Sequence, residues 1–203
     1  MTYPVSVTLD SQTYARNKLT TAFRPVLAIP HALLVGPVFW SSRTGSAGLL
    51  GAAAYLMAIV SWFMLLLTGE HPRGIREFCL YYLRWRTRNL AYMGLFADAY
   101  PPFGDGIYPA TIDVASPPVP RDRTIIAVRL LVAIPHLILL FFLMFGWLVT
   151  TVAAWFAILF TGSYPASLYP FGVGVMRWIL RVEAYMLLLV DEYPPFTLDQ
   201  SAL

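Results

Sequence analysis

Charged residues are scarce in this sequence. Of its 203 residues, 12% are charged and 58% are hydrophobic, and that charged fraction is about half the fraction usual in a soluble domain. The net charge of +3 is too small to indicate a basic surface for nucleic acid, so nucleic acid is not an expected partner. The composition predicts a protein whose main solvent is lipid.

Cysteine is almost absent, and no cleavable leader is evident. Cys79 is the only cysteine, which excludes an internal disulfide and a multi-cysteine metal site. The first 25 residues contain Arg16, Lys18 and Arg24 but no short apolar core before a cleavage site, so we expect no removable signal peptide. No Ser-His-Asp or Cys-His arrangement indicates a catalytic site. We therefore predict no catalytic residues, no metal site and no enzymatic activity.

The chain contains two related halves. A shift of 105 residues aligns YPVSVTL with YPATIDV, Arg24 with Arg129, and the AIPH tetrapeptide ending at His31 with the one ending at His136. Further along, the shift becomes 93 residues and aligns DAYPPF with DEYPPF, so the second copy is 12 residues shorter in between. Ordered blocks of this kind indicate a tandem duplication. We predict two repeats, residues 1–103 and 104–203.

Each repeat has the same predicted order of elements. A short strand of alternating apolar and polar residues is followed by an apolar hairpin, a mixed helix and the turn YPPF, whose prolines cannot continue a helix. The hairpins cover 25–40 with 49–67, and 125–144 with 147–160, where Gly146 is the predicted turn. The predicted fold class is a mainly α membrane protein with four transmembrane helices, interfacial amphipathic helices, and short N-terminal β-strands that pair between the repeats.

Charge placement predicts the membrane topology. If the hairpins span, thirteen of the fourteen Lys and Arg residues lie on one side, and only Arg43 lies on the other. The positive-inside rule then places both termini in the cytoplasm of a multi-pass plasma-membrane protein. Because each repeat crosses the membrane an even number of times, both repeats enter in the same direction. The mixed helices, 74–96 and 168–190, carry arginines and are expected in the interface, although a spanning position for 168–190 stays open.

Two polar residues recur within the apolar segments of both repeats. Arg24 and His31 are seven residues apart, as are Arg129 and His136, so each pair lies on one helical face that we expect to point inward. Three interpretations remain open for these four candidates: hydrogen bonding that secures helix packing, axial ligation of one haem by both histidines, and proton or ion handling along the symmetry axis.

The mixed helices carry a second set of repeated arginines. Their spacing of i, i+4 places both members of each pair on one face. They are candidates either for lipid-headgroup contacts or for pairing with Asp98 and Asp191, the acidic residues just before YPPF. The arginines are Arg84, Arg88, Arg177 and Arg181.

The repeated blocks resemble a known family. RLLVAIPHLILLFFL, WFAILFTGSYP, FGVGVMRWILRVEAY and DEYPPFTLDQ in the second half are similar to the bacterial membrane family DUF4389, a domain of unknown function, and the first half resembles it more loosely. The resemblance implies two copies of the domain, a membrane location and, because single-copy members also exist, a capacity for self-association. It implies no chemistry, because the family's activity is unknown.

These observations lead to two functional hypotheses. The first is a non-enzymatic plasma-membrane protein without a cofactor, acting as a lipid-contacting scaffold or an accessory subunit of a membrane complex. Its expected partners are membrane lipids, with other membrane proteins or a second copy as further candidates. The alternative is a small haem-binding or proton- or ion-conducting protein that uses His31 and His136.

Overall fold

The computed structural model describes residues 3–37, 48–117 and 121–199. This part of the chain forms six helices and one two-stranded sheet. In chain order the elements are β1 (Val5–Leu9), α1 (Lys18–Leu27), α2 (Ile29–Val35), α3 (Gly48–Thr68), α4 (Arg73–Met93), β2 (Ala110–Val114), α5 (Arg123–Thr161) and α6 (Tyr169–Met186). The predicted turn of the first hairpin, with Arg43, lies outside the described residues.

The second apolar segment forms one continuous helix, α5, of 39 residues instead of the predicted hairpin. The Asp122 carboxylate accepts a hydrogen bond from the Thr124 N–H at its start, and Gly162, with φ of 76°, ends it. Gly146 lies inside the helix, where a glycine costs only about 1 kcal/mol relative to alanine. A Cβ there would lie 3.2 Å from the Phe171 ring, so the glycine allows close packing and makes no turn. The predictions of a second hairpin and of four transmembrane helices are therefore wrong.

Helices α1, α2 and α3 together correspond to α5. The shift of 105 residues places 18–35 on 123–140, and the shift of 93 places 48–68 on 141–161. The start of α3 lies directly against the end of α2. Gly48 is so close to Leu34 that a Cβ built on Gly48 would lie 2.4 Å from the Leu34 carbonyl carbon. The 12 extra residues of the first repeat, 36–47, thus interrupt a helix that is continuous in the second. We call α1–α3 the first rod and α5 the second rod.

Two equivalent hydrogen bonds show that the rods are antiparallel. Near the end of α3, the Trp62 indole donates to the carbonyl of Ile126 at the start of α5, at 2.8 Å. Near the end of α5, the Trp155 indole donates to the carbonyl of Thr21 in α1, at 2.9 Å. The two tryptophans are equivalent in the repeats, as are the two acceptors. A pseudo-two-fold axis perpendicular to the rods relates the repeats, which differs from the same-direction arrangement that the hairpin topology predicts.

Strands β1 and β2 pair antiparallel, which confirms the predicted pairing between the repeats. Val7 lies opposite Ile112, its equivalent in the second repeat, so the two-fold axis passes through this pair. On the second rod, the axis passes midway between Ile126 and Trp155, close to Leu140, because those two residues make equivalent contacts. The sheet therefore lies level with the middle of the rods, and its β2 strand packs on α4.

Helices α4 and α6 form the interior of the molecule. Each runs antiparallel along the rod of its own repeat, so that in α4 Cys79 contacts the Ala54 carbonyl of α3 and Tyr92 contacts Arg24 of α1. Ten of the eleven residues from 82 to 92 are buried, as are the five consecutive residues 172–176. These helices therefore lack the exposed face that an interfacial helix needs. The prediction of an interfacial position does not fit this burial, because Arg86, Arg88 and Arg181 are buried and hydrogen-bonded inside the protein.

The rods, by contrast, bury only one narrow stripe. In α5 the buried residues recur every three or four positions, a spacing that follows one side of a helix. They are Ile126, Arg129, Ala133, His136, Leu140, Trp147, Thr151, Ala154 and Ile158. Within the described residues, α3 and α5 are the two helices long and apolar enough to cross a membrane, and only 28% of each apolar window is buried. They are therefore unlike the covered core helices of a soluble protein.

Candidate functional site

Each repeated histidine lies in an aromatic cage made by its own repeat. His31, completely buried, accepts at Nδ1 a hydrogen bond of 2.9 Å from the Trp85 indole of α4, and its ring stacks on Phe103 at 4.5 Å between centroids. The Tyr100 ring lies 5.0 Å away and completes the cage. Trp85 follows a repeated arginine, and Phe103 is the last residue of YPPF. Both recur in the second repeat together with the histidine, and both contact His31 directly.

The second repeat builds the same cage. The Trp178 indole donates to His136 Nδ1 at 3.0 Å, and the histidine ring stacks on Phe196 at 4.1 Å. The Tyr193 hydroxyl donates to the carbonyl of Val132, one helical turn before the histidine, just as the Tyr100 hydroxyl donates to Leu27. The inward orientation predicted for both histidines is confirmed. Each ring bonds to the neighbouring helix of its own repeat, as the packing interpretation expects.

The repeated rod arginines hold the ends of the interior helices. Arg24 Nη1 donates to the carbonyls of Tyr92 and Ala97, both at 2.8 Å, and its guanidinium lies 4.4 Å above the Tyr92 ring. The carbonyl ends of a helix carry partial negative charge, so a cation at the end of α4 is stabilising. Arg129 makes the equivalent bonds to Tyr185 and Val190 at the end of α6.

Two arginines in each repeat share one aspartate. Arg16 and Arg24 bind Asp98 Oδ1 at 2.6 and 2.8 Å, and both guanidinium groups are buried. Arg121 and Arg129 bind Asp191 in the same way. We call these trios the Arg-Asp-Arg clusters. One interpretation of the sequence paired Asp98 and Asp191 with the arginines of the mixed helices, but the structure pairs both aspartates with arginines that precede the rods or lie near their start.

The clusters keep both carboxylates ionised. Burial by itself would raise the pKa of Asp98, but hydrogen bonds and charges from Arg16 and Arg24 outweigh burial, so the pKa lies below its ordinary value. The pKa of Asp191 is lowered against its burial in the same way, by Arg121 and Arg129. Each aspartate thus neutralises part of a buried double positive charge and joins the segment before the rod to the turn that follows the interior helix.

The four arginines proposed for lipid headgroups occupy different environments. Arg84 is exposed and Arg177 is partly exposed. Arg88 is buried and binds the Gly106 carbonyl and Asp105, whereas Arg181 is buried and donates to the carbonyls of Thr197 and Asp199. Arg88 and Arg181 therefore secure the segments that follow the interior helices. Only Arg84 and Arg177 retain surface available for an external ligand.

One buried ion pair has no counterpart in the repeat. Arg86 Nε lies 3.2 Å from Glu183 Oε1 and joins α4 to α6. Burial raises the pKa of the Glu183 carboxyl, and the Arg86 charge opposes this effect. The residue equivalent to Arg86 is Ile179, and the residue equivalent to Glu183 is Leu90. Each of the two charged residues therefore occupies a position that is apolar in the other copy.

The interrupted first rod explains why Arg86 is needed. Its Nη1 donates to the carbonyls of Val35, Gly36 and Pro37, where α2 ends, and Asn89 Nδ2 also donates to Gly36. A helix end leaves carbonyls that the next turn would otherwise bond. In the second repeat the helix continues, so those carbonyls bond within α5 and apolar residues suffice. Sequence analysis missed this site because the alignment shows only the insertion and not the backbone groups that it frees.

An apolar groove lies between α1 and the second half of α5. Its volume is about 460 Å³, and its walls include Pro25, Met93, Leu148, Val152 and Phe156. The residue equivalent to Leu148 in the first repeat is the larger Tyr55.

A hydroxyl group lies in this groove without a partner. Thr151 is 8% exposed, and its Oγ1 has no hydrogen-bond partner within the described structure. A buried hydroxyl without a bond is unfavourable, and neighbouring protein atoms cover this oxygen. The equivalent residue in the first repeat is Ala58.

Other chemistry lacks support in the part of the chain that the structure describes. No group of three His, Cys, Asp or Glu side chains there could hold a metal ion. Cys79 is buried, and burial raises the pKa of its thiol to about 11, so the thiolate that reacts as a nucleophile is scarce at neutral pH.

A comparison with protein families identifies the chain. The family model described as a domain of unknown function (DUF4389) matches residues 46–104 and 123–197. The chain belongs to the DUF4389 family. Two matched segments confirm two tandem copies of the domain. The first DUF4389 match begins at residue 46, two residues before α3, whereas the second begins at the first residue of α5. No curated protein and no solved structure matches the chain.

Proposed function

We propose that this DUF4389 protein is a non-enzymatic membrane protein that contacts lipid through its rods and acts as a scaffold or an accessory subunit of a membrane assembly. The observation that carries the proposal is the uncovered apolar surface of α3 and α5. Together they expose large side chains along their whole length, among them Leu56, Phe63, Leu131, Phe142 and Phe160. A soluble protein rarely leaves so large an apolar surface in water.

The use made of the polar residues supports a structural role. The repeated rod arginines, Arg24 and Arg129, the two histidines and the two aspartates hold helix ends, rings and turns together, and these contacts lie within one repeat. Groups committed to internal bonds are poor candidates for turnover. The plasma membrane and its lipids remain the proposed location and partners, and Arg84 and Arg177 are the remaining candidates of the original four for headgroup contacts.

The groove extends the proposal to a bound lipid. An acyl chain fits an apolar channel of this kind. Tyrosine is larger than leucine and occupies the equivalent position, Tyr55, in the other repeat, so it is the substitution chosen to narrow the groove. We expect Leu148→Tyr to remove one retained lipid.

Native mass spectrometry after gentle extraction from membranes tests the proposal. We expect the wild-type chain to pellet with membranes after an alkaline wash and to retain phospholipid without a cofactor. Leu148→Tyr should retain one lipid fewer, whereas Leu137→Tyr, at a position 49% exposed on α5, should retain the wild-type number. A haem-sized adduct that disappears in both His31→Gln and His136→Gln would overturn the proposal and support the haem alternative.

A further inference from the structure

We propose that the rods lie parallel to the membrane plane and that the protein enters only one leaflet. This inference rests on the proposed lipid contact and specifies its geometry. The occupant of the apolar surface is then the acyl region of one leaflet, and the interior helices and sheet face the aqueous side. Length, charge and the position of the sheet each support this arrangement.

The second rod is too long to stand upright. From Ile125 to Phe160 large apolar side chains are exposed, and these 36 residues extend about 53 Å at 1.5 Å per residue. The hydrocarbon core of a bilayer is about 30 Å thick. Fitting the exposed stretch into it would need a tilt of about 55°, beyond the range of about 0 to 40° seen for membrane helices. A helix that lies in the membrane plane does not have to match the thickness of the hydrocarbon core.

Among the described residues of the rods, charged groups are missing from the exposed apolar surface and present at its ends. Within α5, Arg129 is the only charged residue after Arg123, and it is buried. Helix α3 contains no charged residue. Lys18 and Arg123, equivalent in the repeats, are exposed at the start of each rod. Because the rods are antiparallel, these cations mark opposite ends of one apolar surface, and rods in the membrane plane would place both at the headgroups of the same leaflet. The Lys18 ammonium also donates to the carbonyl of Phe160 at the end of α5, at 3.0 Å.

The sheet decides between the two orientations. The two-fold axis passes through the sheet and through the middle of the rods, near Leu140. In upright rods that level is the centre of the bilayer, so exposed Thr8, Thr111 and Asp113 would lie at the depth of the hydrocarbon centre. An aspartate there costs about 2.5 to 3.5 kcal/mol. With the rods in the plane, the same residues face water.

Cysteine labelling from one side of the membrane tests the inference. Thr68 and Thr161 are equivalent exposed residues that end α3 and α5, so they lie at opposite ends of the molecule. We would introduce Thr68→Cys, Thr161→Cys and Asp113→Cys singly in a Cys79→Ala background. Intact and permeabilised cells would be treated with a membrane-impermeant maleimide, and an alkaline wash would confirm that each variant stays in the membrane.

The in-plane arrangement predicts that all three cysteines behave alike. In cells that keep the polar side in the cytoplasm, all three should be protected in intact cells and at least ten times more labelled after permeabilisation. Labelling of only one of the two rod-end cysteines in intact cells would show that the rods span and would overturn the inference, while lipid contact would stand. Loss of the unmodified chain from the washed membrane would instead contradict the proposed function.

Discussion

The Trp62 indole donates to the carbonyl of Ile126 across 2.8 Å, and its repeat equivalent Trp155 bonds Thr21 at the other end of the molecule. This pair of bonds fixes the two rods in antiparallel order. Neither rod folds back on itself, so the interior helices α4 and α6 and the two-stranded sheet cover the middle of both rods. The exposed apolar surface of the rods is consequently one long side of the molecule.

The continuity of α5 predicts opposite effects for two substitutions at Gly146. Gly146→Pro should cost about 3 kcal/mol or more, because proline removes a backbone hydrogen bond and clashes with the preceding turn. Gly146→Ala should change stability by less than about 1 kcal/mol, since helix propensity improves while the Phe171 ring has to shift slightly. Unfolding followed by circular dichroism in detergent measures both. Equal stability of the proline variant and wild type would contradict a continuous helix and support a turn.

The aromatic cages predict matched effects of removing either indole donor. Trp85→Phe and Trp178→Phe each leave a buried histidine nitrogen without its bond, and we expect a loss of about 1 to 3 kcal/mol in each case. The measurement is the free energy of unfolding in mixed detergent.

A double-mutant cycle isolates this interaction. Combining Trp85→Phe with His31→Leu should cost less than the sum of the two single changes, because the pair is removed together. Simple additivity would show that the indole and imidazole do not interact.

The Arg-Asp-Arg clusters predict a loss of stability in acid. Both aspartates have a folded-state pKa below the ordinary value of 3.8, so their contribution is complete above that value and disappears as pH falls through the folded-state pKa. Thermal unfolding measured between neutral pH and pH 3 should show the decline below about pH 4. Neutralising the aspartates should remove part of this pH dependence.

Asparagine substitutions give the size of this effect. Asp98→Asn and Asp191→Asn should each cost about 3 kcal/mol at neutral pH, since buried arginines lose their counter-charge. Asp105→Asn is the control: its side chain is 68% exposed and lies 3.5 Å from Arg88, so less than about 1 kcal/mol is expected. Similar costs for Asp98 and Asp105 would contradict a structural role for the clusters.

The buried pair of Arg86 and Glu183 predicts unequal single substitutions. Arg86→Met should cost more than Glu183→Gln, because the arginine also donates to the three carbonyls at the end of α2. We expect about 3 to 5 kcal/mol for the arginine and roughly half of that for the glutamate. Thermal shift measurements compare them, and a larger loss for Glu183→Gln would show that the interrupted helix end is not the main role of Arg86.

Sequence periodicity and repetition predicted several features that the structure confirms. The duplicated blocks predicted two copies, alternation predicted the two strands, and the spacing of seven placed each arginine and histidine on one buried face. These signals are local, or they repeat along the chain. Contacts between segments that are distant in the chain leave no such signal. The sequence therefore did not indicate that Arg24 donates to the carbonyl of Tyr92 at the end of α4.

The wrong predictions have two physical causes. A hydrophobic run reports that a segment avoids water, but its length does not report whether the helix crosses a membrane or lies along it. Gly146 was interpreted as a turn because 36 apolar residues exceed the roughly 17 to 25 of one span. The arginines of α4 and α6 were placed at headgroups because their partners, mostly backbone carbonyls, are invisible in sequence.

Depth measurements along α5 test the orientation of the rods most directly. Leu131, Phe142, Val149 and Phe160 lie on one side of the helix, opposite the buried stripe, and are 69%, 66%, 54% and 78% exposed. Spin labels at these positions in the Cys79→Ala background, in bilayer vesicles, report depth through their relaxation by oxygen and by a water-soluble nickel complex. The account predicts one shared depth of about 5 to 10 Å below the headgroups. A steady change of depth along the helix, with the first and last labels in opposite leaflets or in water, would contradict it.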